Sequence, residues 1–146
     1  MSLYLDTSAL AKLYIEEEWS FETSERVRQE PTAVTTLLAR VELPGAIAKA
    51  MRIGALDRED ADRLNTAFER DWPDYFALPV TSELVLSAAA ITVIHALRAY
   101  DAVHLASALS WRRQSGAPVT FATFDRHLWR AAQAEHLDPW PEKLAE

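Results

Sequence analysis

The sequence predicts an α/β fold: a mostly parallel central sheet of four to five short strands, flanked by helices in three layers. Three observations carry this expectation. Short apolar or β-branched runs recur along the chain, amphipathic stretches separate them, and the connections between runs are too long for hairpins. A chain of 146 residues that is 49% hydrophobic and 25% charged has the size and balance of a globular domain with a real core. No repeat, linker or low-complexity stretch divides it, so residues 1–146 are read as one domain.

Leu3-Tyr4-Leu5 is the first buried strand, ending at Asp6-Thr7-Ser8, a polar helix start. Leu10, Leu13 and Tyr14 then fall at helical spacing, and a second amphipathic stretch runs from Trp19 to Glu30 before Pro31 stops it. Ala33 to Thr36 is the second strand. Leu37, Leu38, Val41, Ile47 and Met51 mark a helix to about Gly54, with Pro44 predicting a kink or restart near residue 43. Residues 57–72 form a solvent-facing helix with one apolar stripe, broken by Asp71-Trp72-Pro73-Asp74.

Phe76 to Val80 is the third strand, and Thr81-Ser82-Glu83 caps a long apolar helix reaching about Leu97. Tyr100-Asp101 opens the next helix, which stops at Ser115-Gly116. Val119 to Thr123 is the clearest strand. Asp125 begins a helix carrying Leu128, Trp129 and Ala132, and His136 to Trp140 adds a last short strand.

Composition narrows the function. The absence of cysteine excludes disulfides, thiolate metal sites and a thiol nucleophile. Gly45, Gly54 and Gly116 are too scattered for a Walker loop or a dinucleotide fingerprint. No signal-like start is present, and the longest apolar-rich stretch falls short of the ~20 residues a bilayer requires, so a cytoplasmic protein without membrane contact is expected. Fifteen Lys and Arg against 22 Asp and Glu leave a net charge of −7, which argues against a broad basic nucleic-acid face.

Where the acids stand matters more than their sum. Asp6 follows strand one, Glu42 lies on the helix after strand two, Asp101 is in a first helical turn and Asp125 follows strand four. In parallel sheets ligands gather beyond the carboxyl ends of the strands. Singly, each acid also reads as a helix-capping or surface residue. Together they would crowd one cleft and call for a counter-charge such as Mg²⁺ or Mn²⁺, hard cations that prefer carboxylate oxygen. Four acids with two such ions would sum to zero, leaving −3 for the rest of the chain.

Four segments carry a family resemblance: Tyr4-Leu5-Asp6-Thr7-Ser8-Ala9-Leu10, Leu38-Ala39-Arg40-Val41-Glu42, Leu97 to Ala106 around Tyr100-Asp101-Ala102, and Thr123-Phe124-Asp125-Arg126-His127-Leu128. In order and spacing they resemble the signature segments of PIN-domain ribonucleases, above all the VapC-like toxins. The resemblance implies a metal-dependent endoribonuclease acting on single-stranded or loop RNA, with Asp6, Glu42, Asp101 and Asp125 as the catalytic and Mg²⁺- or Mn²⁺-holding quartet. It also implies a small antitoxin partner and a homodimer. Ser8 and Thr123 are candidates to orient Asp6 and a metal-bound water, or are simple turn caps. Pro44 departs from the family pattern and puts the reach of Glu42 in question.

Arg40, Arg98 and Arg126 lie near the acids in sequence and are candidate phosphate contacts, with Lys49 and Arg130 beside them. Trp19, Trp72 and Trp111 fall among polar residues, as stacking surfaces or interface edges. His104, three residues after Asp101, reads first as a packed or hydrogen-bonded structural histidine. Two other functions stand beside the nuclease. One is a catalytically silent PIN-fold binding module. The other is a haloacid-dehalogenase-like phosphohydrolase using Asp6 as nucleophile, which wants a second Asp where Ser8 stands.

Overall fold

The computed structural model describes residues 1–144. Five strands, β1 (Ser2–Leu5), β2 (Ala33–Thr36), β3 (Phe76–Leu78), β4 (Val119–Ala122) and β5 (Asp138–Trp140), form one sheet in the order β3-β2-β1-β4-β5. Every pairing is parallel, with Leu3 opposite Ala33 and Tyr4 opposite both Val34 and Phe121. The helices are α1 (Thr7–Ala11), α2 (Ser20–Arg28), α3 (Ala39–Arg52), α4 (Arg58–Asp71), α5 (Ser82–His95), α6 (Ala99–Ser115) and α7 (Arg126–Ala134).

The period-two alternation of β1 divides the core. Tyr4 faces α5, α6 and α7 with Val34, Leu105, Phe121 and Leu128, while Leu3 and Leu5 face α1, α3 and α4 with Leu10, Leu43, Ile47 and Phe68. Both faces of the sheet are covered, so its central strands β1 and β4 are buried along their whole length rather than alternating buried and exposed. Tyr4 stacks on Phe121 across the β1/β4 pair at 5.3 Å between ring centres.

Two expectations are corrected. The restart near residue 43 does not occur: α3 runs without interruption from Ala39 to Arg52 with Pro44 inside it. An interior proline costs about 3 kcal/mol. Leu43 and Ile47, on either side of it, are both fully buried, and burial of two such side chains is worth about 1.5–3 kcal/mol each. Packing therefore holds both halves of the helix on the sheet. The first helix is shorter than its apolar spacing suggests. Beyond Ala11 the backbone tightens to three-residue hydrogen bonds, Leu13 to Leu10 and Tyr14 to Ala11, which ends the α-helix while Tyr14 stays in the core.

Helix α5 ends at Ala96, whose φ of 54° lies in the left-handed region, and the chain turns by 114° into α6. An alanine there carries the Cβ–carbonyl clash that glycine lacks. Ala96→Gly is expected to stabilise the fold by about 0.5–1 kcal/mol, read as a higher midpoint in urea with unchanged m-value. Among the described residues, no single helix is long and apolar enough to cross a membrane.

Candidate active site

The strand order places the site. Chain connections run from β1 outward to β2 and β3, then return to β4 on the other side of β1. The carboxyl ends of β1 and β4 therefore border the switch-point crevice, where ligands collect in such sheets. Asp6 leaves β1 as the N-cap of α1, and Asp125 follows β4 as the N-cap of α7. Asp101 comes from the first turn of α6 and Glu42 from the first turn of α3. All four line one cavity of about 610 Å³, together with Thr7, Ser8, Arg98, Tyr100 and His104.

Asp6 is 3% exposed and is gripped on three sides. Ser8 Oγ donates to its Oδ1 at 2.7 Å, Thr123 Oγ1 to its Oδ2 at 2.6 Å, and the Ala9 N–H to Oδ1 at 2.9 Å. Ser8 Oγ in turn accepts the Phe124 N–H, and Thr123 Oγ1 accepts the Asp125 N–H, so the loop after β4 is tied to the loop after β1. Burial raises the Asp6 pKa above its ordinary value, against the opposing pull of His104 and the three hydrogen bonds.

Glu42 reaches the cavity despite Pro44. Its Oε1 accepts from Thr7 Oγ1 and from His104 Nε2, both at 2.8 Å. A carboxylate only accepts, so in the neutral imidazole the proton sits on Nε2 and Nδ1 is the acceptor facing Tyr4 Oη, 2.9 Å away. Burial pushes the Tyr4 hydroxyl well above its ordinary pKa, so it keeps the proton it donates. His104 is a hydrogen-bonded core histidine, and its partner is one of the candidate acids.

Arg98, the N-cap residue of α6, bridges the other two acids. Its Nε donates to Asp101 Oδ2 at 3.0 Å and its Nη2 to Asp125 Oδ2 at 3.1 Å. Asp101, and then Asp125, raise the guanidinium pKa. The arginine side chain is 80% exposed, so its hold on the two carboxylates is solvent-screened and reversible.

The donor chemistry fits a hard divalent cation: four carboxylates and no thiolate face one cavity. As the side chains stand, no three acidic or histidine groups among the described residues converge on one ion position. Arg98, 80% exposed, supplies the counter-charge between Asp101 and Asp125.

Of the five basic residues that the sequence offers as phosphate contacts, Arg98 and Lys49 line the cavity. Arg40 pairs with Glu69 at 2.8 Å and lies over Trp72, and Arg126 and Arg130 line a separate pocket with Trp129. Trp19, Trp72 and Trp111 are half-buried against other aromatic rings. Thr7, Tyr100 and Arg52, which sequence reasoning passes over, line the cavity as well. The signal for Arg52 is its place ten residues after Glu42 on one helix face.

The PIN domain family pattern matches residues 3–134, which include all four acid-bearing segments. The chain belongs to the PIN-domain family. Its relatives place it on the VapC branch. Ribonuclease VapC45 of Mycobacterium tuberculosis is 36% identical over 97% of this chain and 96% of its own length. Ribonuclease VapC3 of Pyrobaculum aerophilum is 34% identical over 74% of this chain and 82% of its own. Among solved structures, that of FitAcB from Neisseria gonorrhoeae superposes with a TM-score of 0.68 at 17% identity, covering 96% of this chain and 97% of the other, a likeness of fold. In this PIN domain the acidic cavity lies at the carboxyl edge of the sheet, between β1 and β4.

Proposed function

We propose that this PIN domain is an Mg²⁺- or Mn²⁺-dependent endoribonuclease toxin that hydrolyses phosphodiester bonds in single-stranded or loop RNA and is neutralised by a small cognate antitoxin. The observation that carries the reading is the gathering of Asp6, Glu42, Asp101 and Asp125 on one cavity in a chain whose relatives are named as VapC ribonucleases. A homodimer belongs to the same reading. The apolar outer face of α5, with Leu86, Val93 and Ile94 each more than two-thirds exposed, supports it.

Asp6, Glu42, Asp101 and Asp125 would hold the cation. Bound there, a divalent cation supplies an activated water and neutralises charge on the phosphodiester. Ser8 and Thr123 keep the Asp6 carboxylate in a single orientation, and His104 with Thr7 does the same for Glu42. Arg98, once displaced from Asp101 and Asp125, has its planar donors free for a phosphate oxygen.

The test is cleavage after chelation. Protein stripped with EDTA is expected to leave single-stranded and stem-loop RNA intact, and added Mg²⁺ or Mn²⁺ to restore discrete cuts mapped by sequencing the new RNA ends. Undiminished cleavage in EDTA, or none with either ion, would overturn the reading.

A further inference from the structure

Among the described residues, eight of the fifteen basic side chains of this acidic chain are paired with acids. Lys12 meets Glu17, Arg26 meets Glu30, Arg28 meets Glu25, Arg40 meets Glu69, Arg58 meets Asp62, Arg63 meets Asp60, Arg70 meets Asp71, and Arg98 spans two aspartates. Lys49 and Arg52 differ. Both are exposed, both line the acidic cavity, and among the described residues neither makes an ion pair or a side-chain hydrogen bond.

They share a face of α3 with Glu42. Gly45, Lys49 and Arg52 follow it at i+3, i+7 and i+10, which puts the two cations about 10 and 15 Å along the helix from the acid at 1.5 Å per residue. Between them and the acid the surface is low. Gly45 has no Cβ and nothing within 4 Å of where one would be, and the small Ala46 beside it also lines the cavity. A chain leaving the acids along α3 would therefore meet a smooth floor and then two unpaired positive charges.

We infer that Lys49 and Arg52 form a substrate track, in which a single RNA strand seated on the acidic quartet continues along α3 with its phosphates on these two side chains. The assignment rests on the ribonuclease reading above. It answers a problem that reading raises, since four carboxylates repel a polyanion and net charge −7 offers no broad basic face. Two cations placed beyond the acids hold the strand without neutralising the quartet. They would act on binding and orientation, as positioning residues, and would not touch the reacting bond.

The experiment compares wild type, Lys49→Ala/Arg52→Ala, and Lys49→Arg/Arg52→Lys on a single-stranded RNA that the wild type cuts, with Arg113→Ala as a basic-residue control from another pocket. Removing both charges is expected to raise KM about tenfold with kcat held. For binding, measured by anisotropy in an Asp101→Asn background, the slope of log affinity on log salt is expected to fall by about 0.7 for each phosphate that is no longer neutralised. The charge-preserving pair should restore both, and Arg113→Ala should change neither. An unchanged KM and salt slope overturns the track. So does a fall in kcat alone, which would put the residues at the chemistry. A wild type that cuts no RNA overturns the ribonuclease reading itself, a result distinct from both.

Discussion

An Asp6→Asn protein is expected to lose RNA cleavage by about a thousandfold, on the order of 4 kcal/mol of transition-state stabilisation, while its metal-free fold becomes more stable at neutral pH. The two effects have one cause. Asp6 is almost completely buried beside three other acids, and desolvation raises its pKa. A carboxyl whose folded pKa lies above its unfolded value favours the folded state fully only below the unfolded value, near 3.8, and that advantage is lost as pH rises through the folded pKa. At neutral pH, without metal, ionised Asp6 therefore strains the fold that asparagine would relieve.

Asparagine also suits the local partners. Its Oδ1 can accept from Ser8 and Ala9 as the carboxylate does, and Thr123 Oγ1 can accept from Nδ2. Thermal scans in EDTA should show a higher Tm for Asp6→Asn at pH 7, with the difference shrinking towards pH 4. Equal or lower stability at pH 7 would show that the hydrogen bonds outweigh desolvation. Retained metal-dependent cleavage in the variant would remove Asp6 from the machinery.

His104→Ala is expected to be the most damaging single change outside the acids. His104 is 1% exposed and joins Tyr4 in the core to Glu42 in the cavity. Truncation leaves the buried Tyr4 hydroxyl without its acceptor, at about 1–3 kcal/mol, and opens a cavity under α6 that adds a similar amount. A loss of about 3 kcal/mol should lower Tm by about 6–12 °C for a domain of this size. Glu42 would keep only Thr7 as a partner, so kcat should fall about tenfold or more with little change in KM. His104→Gln, which restores a donor near Glu42, should recover part of kcat although the packing stays impaired. An equal loss of kcat in both variants would reduce His104 to a packing residue.

Much of the fold is readable from local pattern. The apolar runs at Leu3, Ala33, Phe76 and Val119 all become strands, because each is too short and too flanked by turn residues to be a helix. Pro44 misleads because a local rule about a missing N–H competes with burial of Leu43 and Ile47, which only the packed sheet supplies. The extent of α1 misleads for the opposite reason. Its apolar spacing is real, but the backbone tightens after Ala11 and still delivers Tyr14 to the core. Arg40 sits two residues from Glu42, yet on a helix that spacing turns it away, towards Glu69 and Trp72 on α4 and the turn after it.

By itself the sequence determined the alternation of strands and helices, the parallel sheet that alternation requires, and the family to which the four acid-bearing segments belong. Those properties follow from periodicity and motif, which are local. Only the tertiary structure decided the strand order that brings β1 beside β4, the pairing of Glu42 with His104, the bridging of Asp101 and Asp125 by Arg98, and the isolation of Lys49 and Arg52 beside the cavity. Each of these depends on groups far apart in the chain. Which of many nearby charges a side chain meets is settled by the packing of helices on the sheet.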